Sequence, residues 1–136
     1  MSGPGPVGIV LVSHSREVAS AVADLARGLT GGAATAPVAP AGGTPDGGLG
    51  TSSELIVRAA EAVDGGAGVA VLVDLGSAVL TVKSLLAEGD ELPAGTRLVD
   101  APFLEGAIAA VVTASAGGDL DSVEAAAAEA YGYRKA

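Results

Sequence analysis

Apolar segments of strand length alternate along this chain with segments in which apolar residues recur at helical spacing. Gly8–Val12 is almost wholly apolar and predicts a first buried β-strand. Gly68–Asp74 predicts a second buried strand, and Thr96–Asp100 predicts a shorter one. A further strand is expected at Ala36–Ala39, where two nearby prolines favour an edge position in the sheet.

Two helices are predicted in the first half of the chain. The first is expected to end near Gly28 and to bury residues spaced i, i+3, i+4 and i+7, which are Val18, Ala21, Val22 and Leu25. The second is expected to begin with a capping box formed by Thr51 and Glu54. Its expected apolar face consists of Ile56, Ala59, Ala60 and Val63.

Three more helices are predicted in the second half. One begins at Gly76–Ser77, and its apolar side consists of Ala78, Val82 and Leu85. Another is expected over residues 104–114. The last is expected over residues 121–131, with a cap formed by Asp121 and Glu124.

The alternation of strands and helices predicts the fold class. It is typical of an α/β protein with a mostly parallel sheet covered by helices on both faces. The length of 136 residues suits one domain, residues 1–136, with a core at about 7–130. The glycine- and proline-rich segment at 40–50 is too short for a domain linker, so it is expected to be a loop.

Composition and charge exclude several function classes. Hydrophobic residues make up 49% of the chain, but only one Phe and two Tyr are aromatic, which argues against base stacking. A net charge of −9 repels nucleic acid and anionic membranes. The absence of cysteine and the single histidine exclude disulfides, thiolate metal sites and a histidine-rich zinc centre. We therefore expect no metal, no cofactor, no nucleic acid and no membrane partner. Because neither a signal peptide nor a membrane span is seen, we expect a cytoplasmic protein.

Chemically distinctive side chains follow the two strongest predicted strands. His14, the only histidine, follows the first strand, and Asp74 closes the second. Ligands of open parallel sheets bind beyond the carboxyl ends of the strands, where the N–H groups of helix N-termini suit a phosphoryl group. We therefore predict that His14 and Asp74 converge at this edge. The candidate phosphate-site residues around them are Ser13, Ser15, Thr51, Ser52, Gly76 and Ser77.

A histidine alone at a strand end suits nucleophilic chemistry. The chain has no G-x-S-x-G nucleophile elbow and no glycine-rich nucleotide-binding motif. A lone imidazole can accept a phosphoryl group on one ring nitrogen when an acceptor such as Asp74 holds the other nitrogen. Structural interpretations remain open: Asp74, Thr51 and Ser77 also suit helix caps, and Ser13 and Ser15 also suit turns.

Several ordered motifs carry a resemblance to a known family. The chain resembles the phosphotransferase subunits (DhaM) of dihydroxyacetone kinases that depend on the phosphotransferase system (PTS), whose relevant domain is similar to mannose-type EIIA domains. The resemblance covers about residues 7–130. Its motifs are "IVLVSHS", "GTSSELI", "GVAVLVDLGSAVLTVKSLL" and "APFLEGAIAAVV".

The resemblance implies a phosphohistidine relay. His14 would be phosphorylated by the phosphocarrier protein HPr and would pass the group to ADP held on the DhaL subunit. The resulting ATP would phosphorylate dihydroxyacetone bound to DhaK. Asp74 matches the residue that orients the histidine, and the Thr51–Ser52 and Gly76–Ser77 segments match motif positions near the site.

The resemblance also implies a homodimer, for which the sequence offers Leu104, Ile108 and Val111 as an uncovered apolar face. Because the printed chain stops at Ala136, HPr-like and enzyme-I-like domains are expected to act in trans. Two alternatives stay open. One is a mannose-type sugar EIIA that donates to an EIIB domain, and the other is a regulator that binds partners according to its phosphorylation state.

Overall fold

The computed structural model describes residues 4–31 and 34–136. In these residues, four strands form one parallel sheet in the order β2-β1-β3-β4. The strands are β1 (Gly8–Ser13), β2 (Val38–Gly42), β3 (Val69–Val73) and β4 (Thr96–Leu98). The predicted α/β class and the predicted edge position of the second strand along the chain are both confirmed.

In the part of the chain that the structure describes, five α-helices connect and cover the strands. They are α1 (Arg16–Thr30), α2 (Ser53–Val63), α3 (Gly76–Glu88), α4 (Phe103–Ser115) and α5 (Leu120–Glu129), and a short 3-10 helix follows at Ala130–Gly132. Within residues 4–31 and 34–136, none of the helices combines the length and the apolar character needed to cross a membrane.

Side chains alternate across the sheet and define two separate cores. Ile9 and Leu11 of β1 point to the face covered by α1, α4 and α5. Val10 and Val12 point to the opposite face, which α2 and α3 cover. Because both faces are covered, β1 is buried along its whole length, which explains its continuous apolar run. The predicted helices on both faces are therefore confirmed.

The predicted buried face of α1 is wrong. The helix buries Ala19, Ala23 and Ala26, whereas Val18 and Leu25 are 45% and 43% exposed. Alanines allow α1 to lie close to the sheet, and the larger residues take the outer side of the helix. By contrast, the predicted buried residues of α2 and α3 are confirmed.

The two predicted helix caps are also wrong, by one or two residues. Ser52, rather than Thr51, caps α2, and its side chain accepts a hydrogen bond from the backbone N–H of Leu55. Asp119, rather than Asp121, caps α5. In both cases a neighbouring side chain with the same capping chemistry has the required extended backbone.

Glu54, Asp121 and Glu124, the other members of the predicted caps, form ion pairs instead. Glu54 pairs with Arg58 one turn later in the same helix. Asp121 and Glu124 both pair with Arg97 of β4, which ties the short edge strand to α5.

Several predicted boundaries also shift. β2 lies at Val38–Gly42 rather than at 36–39, and α1 continues to Thr30, where Gly31 ends it with a left-handed φ of 67°. The third and fourth strands along the chain end earlier than predicted, so that Asp74 and Asp100 lie just beyond the sheet.

Candidate active site

Two adjacent central strands bring His14 and Asp74 together. Val12 of β1 pairs with Val73 of β3, so the segments that follow these two positions, Ser13–His14 and Asp74, lie side by side. The backbone N–H of Asp74 donates to the carbonyl of Val12 at 3.1 Å and continues the ladder. The predicted convergence at the carboxyl edge of the sheet is present in the structure.

The Asp74 carboxylate accepts four hydrogen bonds. Its Oδ1 receives the His14 ring Nδ1 at 3.0 Å and the backbone N–H of Leu75 at 2.7 Å. Its Oδ2 receives the hydroxyl of Ser13 at 2.8 Å and the backbone N–H of His14 at 3.1 Å. One carboxylate therefore ties the turn after β1 to the turn after β3 and fixes the plane of the imidazole.

These contacts set the charge state of Asp74. Partial burial raises the pKa of the carboxyl, but hydrogen bonds from the His14 backbone, the Ser13 hydroxyl and the His14 ring outweigh burial and hold the pKa below its ordinary value. Asp74 is therefore ionised at neutral pH and can only accept hydrogen bonds. In the neutral form of the His14 imidazole, this acceptor selects the tautomer with the ring proton on Nδ1 and the lone pair on Nε2.

The free nitrogen of His14 lies at the surface, against α3. The Ser77 hydroxyl contacts Nε2, and it must donate because Nε2 has no proton. The His14 side chain is 25% exposed, so a reacting group can reach it. No side chain of the described residues caps α3, and the backbone N–H of Ala78 donates to the Leu75 carbonyl at 3.0 Å. The N–H groups of Gly76 and Ser77 and the positive dipole end therefore remain available for an anion.

The candidate serines Ser13, Ser15 and Ser52 differ in what their hydroxyl groups bind. Ser13 is fully buried beneath the imidazole, where its hydroxyl donates to Asp74 and accepts from the backbone N–H of Ser15. Ser15 caps α1 by accepting from the backbone N–H of Val18. Thus Ser13 supports Asp74 from below, and the Ser15 and Ser52 hydroxyls serve the starts of α1 and α2.

Thr51 contacts Thr81, a residue near the site that the sequence motifs did not single out. Its hydroxyl lies 3.0 Å from the hydroxyl of Thr81, which also donates to the carbonyl of Ser77 at 3.2 Å. Thr81 follows Ser77 by one helical turn, and this spacing is the signal that could have identified it. Through Thr81, the loop before α2 is fastened to the first turn of α3.

The glycine-rich loop after β2 packs directly against the His14 turn. The backbone N–H of Gly50, at a φ of 139°, donates to the carbonyl of His14 at 2.9 Å. A Cβ on Gly42 would lie 2.4 Å from the carbonyl oxygen of Ser15, so a glycine is required at this approach. The end of β2 and the loop after it thus pack against the backbone on both sides of the imidazole.

The site has the parts of a phosphoryl acceptor. It combines a nucleophilic nitrogen with a fixed tautomer, an ionised carboxylate behind the ring, and a hydroxyl and an uncapped helix terminus in front. Among residues 4–31 and 34–136, no group of three His, Cys, Asp or Glu side chains is placed to hold a metal ion.

Known proteins are similar to this chain in sequence and in fold. The chain matches the family model of the PTS system fructose IIA component, EIIA-man, over residues 8–124. It is 40% identical over 119 residues to the PEP-dependent dihydroxyacetone kinase, phosphoryl donor subunit DhaM, of Pantoea ananatis, a match that covers 86% of this chain but only 25% of that protein. The phosphoryl donor subunit DhaM of PEP-dependent dihydroxyacetone kinase 2 from Listeria innocua is 34% identical to this chain. That match covers 78% of this chain and 84% of the Listeria protein. A crystal structure of a protein of unknown function, EF1359, has a TM-score of 0.80 and 30% identity over 96% of this chain and 98% of its own.

Proposed function

Since the chain belongs to the mannose-type EIIA family, we propose that it is a phosphohistidine relay that supplies the phosphoryl group for a dihydroxyacetone kinase. In this proposal His14 accepts the group from HPr and delivers it to ADP bound on a DhaL subunit, and the ATP formed serves dihydroxyacetone bound to DhaK. The chain spans about a quarter of the length of the Pantoea relative, so these partners belong to the proposal.

One observation carries the proposal: the only histidine in the chain has its Nδ1 held by an ionised carboxylate and its Nε2 exposed beside an uncapped helix N-terminus. In the loading step, the Nε2 lone pair forms a bond to the donor's phosphorus while the donor's own P–N bond breaks. In the delivery step, an oxygen of the ADP β-phosphate bonds to the same phosphorus and the P–Nε2 bond breaks. The ring proton stays on Nδ1 throughout, held by Asp74.

Ser77 and α3 have complementary roles in these steps. The Ser77 hydroxyl, which donates to the free nitrogen, turns to donate to a phosphoryl oxygen once the P–N bond has formed. The first N–H groups of α3 and its dipole end stabilise the negative charge on the transferred group. No proton has to leave the ring, which keeps the transfer reversible.

A phosphorylation assay tests this function. The chain is incubated with phosphoenolpyruvate, enzyme I and HPr, and mass spectrometry is expected to show one added phosphate that is labile in acid and stable in base. His14→Ala should carry none, and an unchanged label in that variant would refute the proposal. Addition of DhaL–ADP, DhaK and dihydroxyacetone should then discharge the label. Discharge by an EIIB domain instead would identify a sugar EIIA, and no discharge by either would identify a regulator.

We also propose that the chain forms a homodimer through the outer sides of α1 and α4. Large apolar residues are exposed there, and they are Val18, Leu25, Leu29, Leu104 and Val112. Of the residues expected at this face, Leu104 is 43% exposed and Ile108 is half-buried, but Val111 is fully buried in the core and is corrected to Val112. Helix geometry explains the correction, because one residue rotates the side chain by about 100°.

Sedimentation at low micromolar concentration tests the dimer. Leu25→Glu places a charge in the proposed interface and is expected to yield a monomer. The matched control is Leu80→Glu, which alters a leucine that is 67% exposed on α3, away from this face. A wild-type monomer, or equal effects of the two variants, would contradict the proposed interface.

A further inference from the structure

A groove with a volume of about 460 Å³ runs beside the edge strand β2, between α1 and α2. Small residues of β2 form one wall, and the loop after the strand closes one end. The polar side chains that line the groove are Arg16 and Ser20 of α1, Thr44 of the loop and Arg58 of α2. It lies next to the His14 turn but does not include the imidazole.

The charge of this groove is opposite to that of the chain. The net charge is −9, yet among the described residues both charged side chains that line the groove are arginines and no carboxylate lines it. Arg58 pairs with Glu54, which lies outside the lining. Arg16 has neither a hydrogen bond nor an ion pair to its side chain anywhere in 4–31 and 34–136. A cation in the first turn of a helix also opposes the helix dipole, so the charge of Arg16 does not stabilise α1.

Arg16 does not serve the imidazole directly. Although it is two residues from His14, it lines the groove together with Ser20 and Thr44. At 3.6 residues per turn, Arg16 and Ser20 lie on one flank of the buried face of α1, and Val18 and Leu25 lie on the other flank. The proposed dimer interface therefore leaves the groove open to another molecule.

The openness of the groove favours a macromolecular occupant. Small-molecule sites bury most of their ligand, whereas the side chain of Arg58 is 68% exposed. A free anion gains little from exposed guanidinium groups in salt, because water and ions screen them. Carboxylates on a docked protein are held at a high effective concentration and gain more from the same two arginines.

We propose that this groove binds acidic side chains of the protein that accepts the phosphoryl group. The inference rests on the proposed relay function. Phosphorylation adds about −1.5 to −2 charges beside an already acidic surface, and the acceptor's nucleoside diphosphate is also anionic, so repulsion is greatest in the delivery step. In the loading step the phosphoryl charge arrives on the donor, and no nucleoside diphosphate adds to it. The rest of the surface repels anions, whereas Arg16 and Arg58 attract carboxylates of the acceptor and thereby set its orientation beside the site.

Two half-reactions, measured separately, test the proposal. The variant is Arg16→Gln with Arg58→Gln, and the matched control is Arg134→Gln, which alters an exposed arginine near the C-terminus. Loading is followed as phosphate incorporation from phosphorylated HPr. Delivery is followed as ATP formation by the loaded chain at increasing concentrations of DhaL–ADP.

We expect the double variant to load at the wild-type rate and to show a KM for DhaL–ADP raised by about tenfold, with kcat unchanged. The control should match wild type in both steps. The Arg16→Lys, Arg58→Lys variant, which keeps both charges, should restore the KM to within about twofold of wild type.

An unchanged KM in the double variant would overturn the inference, and so would an equal loss in loading and delivery or a failure of the lysine variant to restore binding. These outcomes are distinct from failure of the relay itself, in which the wild-type chain would take up no phosphate from HPr. Circular dichroism of each variant verifies that the fold is retained.

Discussion

Replacing Asp74 with asparagine tests the central arrangement of the site, because the amide keeps the size of the carboxyl and removes its charge. In either orientation, the amide NH2 of the asparagine faces groups that donate hydrogen bonds to Asp74 in the wild-type protein. If it faces the position of Oδ2, it meets the backbone N–H of His14. If it faces the position of Oδ1, it meets Leu75 N–H and donates to Nδ1 of His14, which then moves the ring proton to Nε2. The first orientation leaves a buried donor without an acceptor, and the second removes the nucleophilic lone pair.

The magnitude follows from the hydrogen bonds that are lost. A hydrogen bond to a charged group contributes about 1.5–3 kcal/mol, which corresponds to roughly 10- to 150-fold in rate at about 1.4 kcal/mol per factor of ten. We therefore expect phosphoryl transfer to His14 to slow by about 10²-fold in Asp74→Asn.

Single-turnover loading from phosphorylated HPr measures this effect. The matched control is Asp100→Asn, which alters a carboxylate beyond β4 that accepts a hydrogen bond from the Tyr131 hydroxyl and does not contact His14. Circular dichroism and urea unfolding of each variant separate slow chemistry from loss of fold. Loading of Asp74→Asn at the wild-type rate would refute the role assigned to the carboxylate.

Three further predictions concern the surroundings of the imidazole. Ser77→Ala is expected to slow loading by about tenfold through loss of one hydrogen bond to the phosphoryl group, whereas Ser84→Ala, on the exposed side of the same helix, should match wild type in the same assay. Because the folded-state pKa of Asp74 is lowered, the stability that its ionised carboxylate contributes is complete above the usual pKa of about 3.9 and is lost as pH falls through the lower folded value. In urea titrations carried from pH 5 down to pH 3, the difference in unfolding free energy between wild type and Asp74→Asn should therefore narrow. Gly42→Ala is expected to lower the unfolding free energy by about 1–3 kcal/mol, because its Cβ would lie 2.4 Å from the Ser15 carbonyl oxygen. Gly28→Ala in α1, with open space around the new Cβ, should raise the unfolding free energy. Equal urea midpoints for the two variants would contradict this expectation.

Sequence reasoning predicted the order and type of the elements because buried parallel strands and their covering helices leave strong patterns. Continuous apolar runs gave β1 and β3, and the alternating sequence order gave a sheet covered on both faces. Neighbouring strand ends then placed His14 beside Asp74 without any knowledge of side-chain contacts. These predictions depend on local patterns and on the general geometry of parallel sheets.

The remaining details depend on packing that no local pattern encodes. The size of their apolar side chains favoured Val18 and Leu25 as the buried face of α1. Because α1 lies close to the sheet, it buries Ala19, Ala23 and Ala26 instead. Runs of capping residues offer near-equivalent choices, and only the backbone conformation separates Ser52 from Thr51. The place of Ser13 beneath Asp74 also depends on a contact 61 residues away along the chain.

The alanine face of α1 has a mechanical consequence for the site. An alanine has no rotamers, so this layer cannot absorb a larger side chain by repacking, and α1 must shift as a rigid rod. Ala26 lies roughly 15 Å along the helix axis from Arg16, at the other end of the same rod. Since that end carries the Ser15 cap and the turn that holds His14, we expect a displacement at Ala26 to move the imidazole as well. Distant substitutions in the core can therefore alter transfer rates without touching any group that takes part in the chemistry.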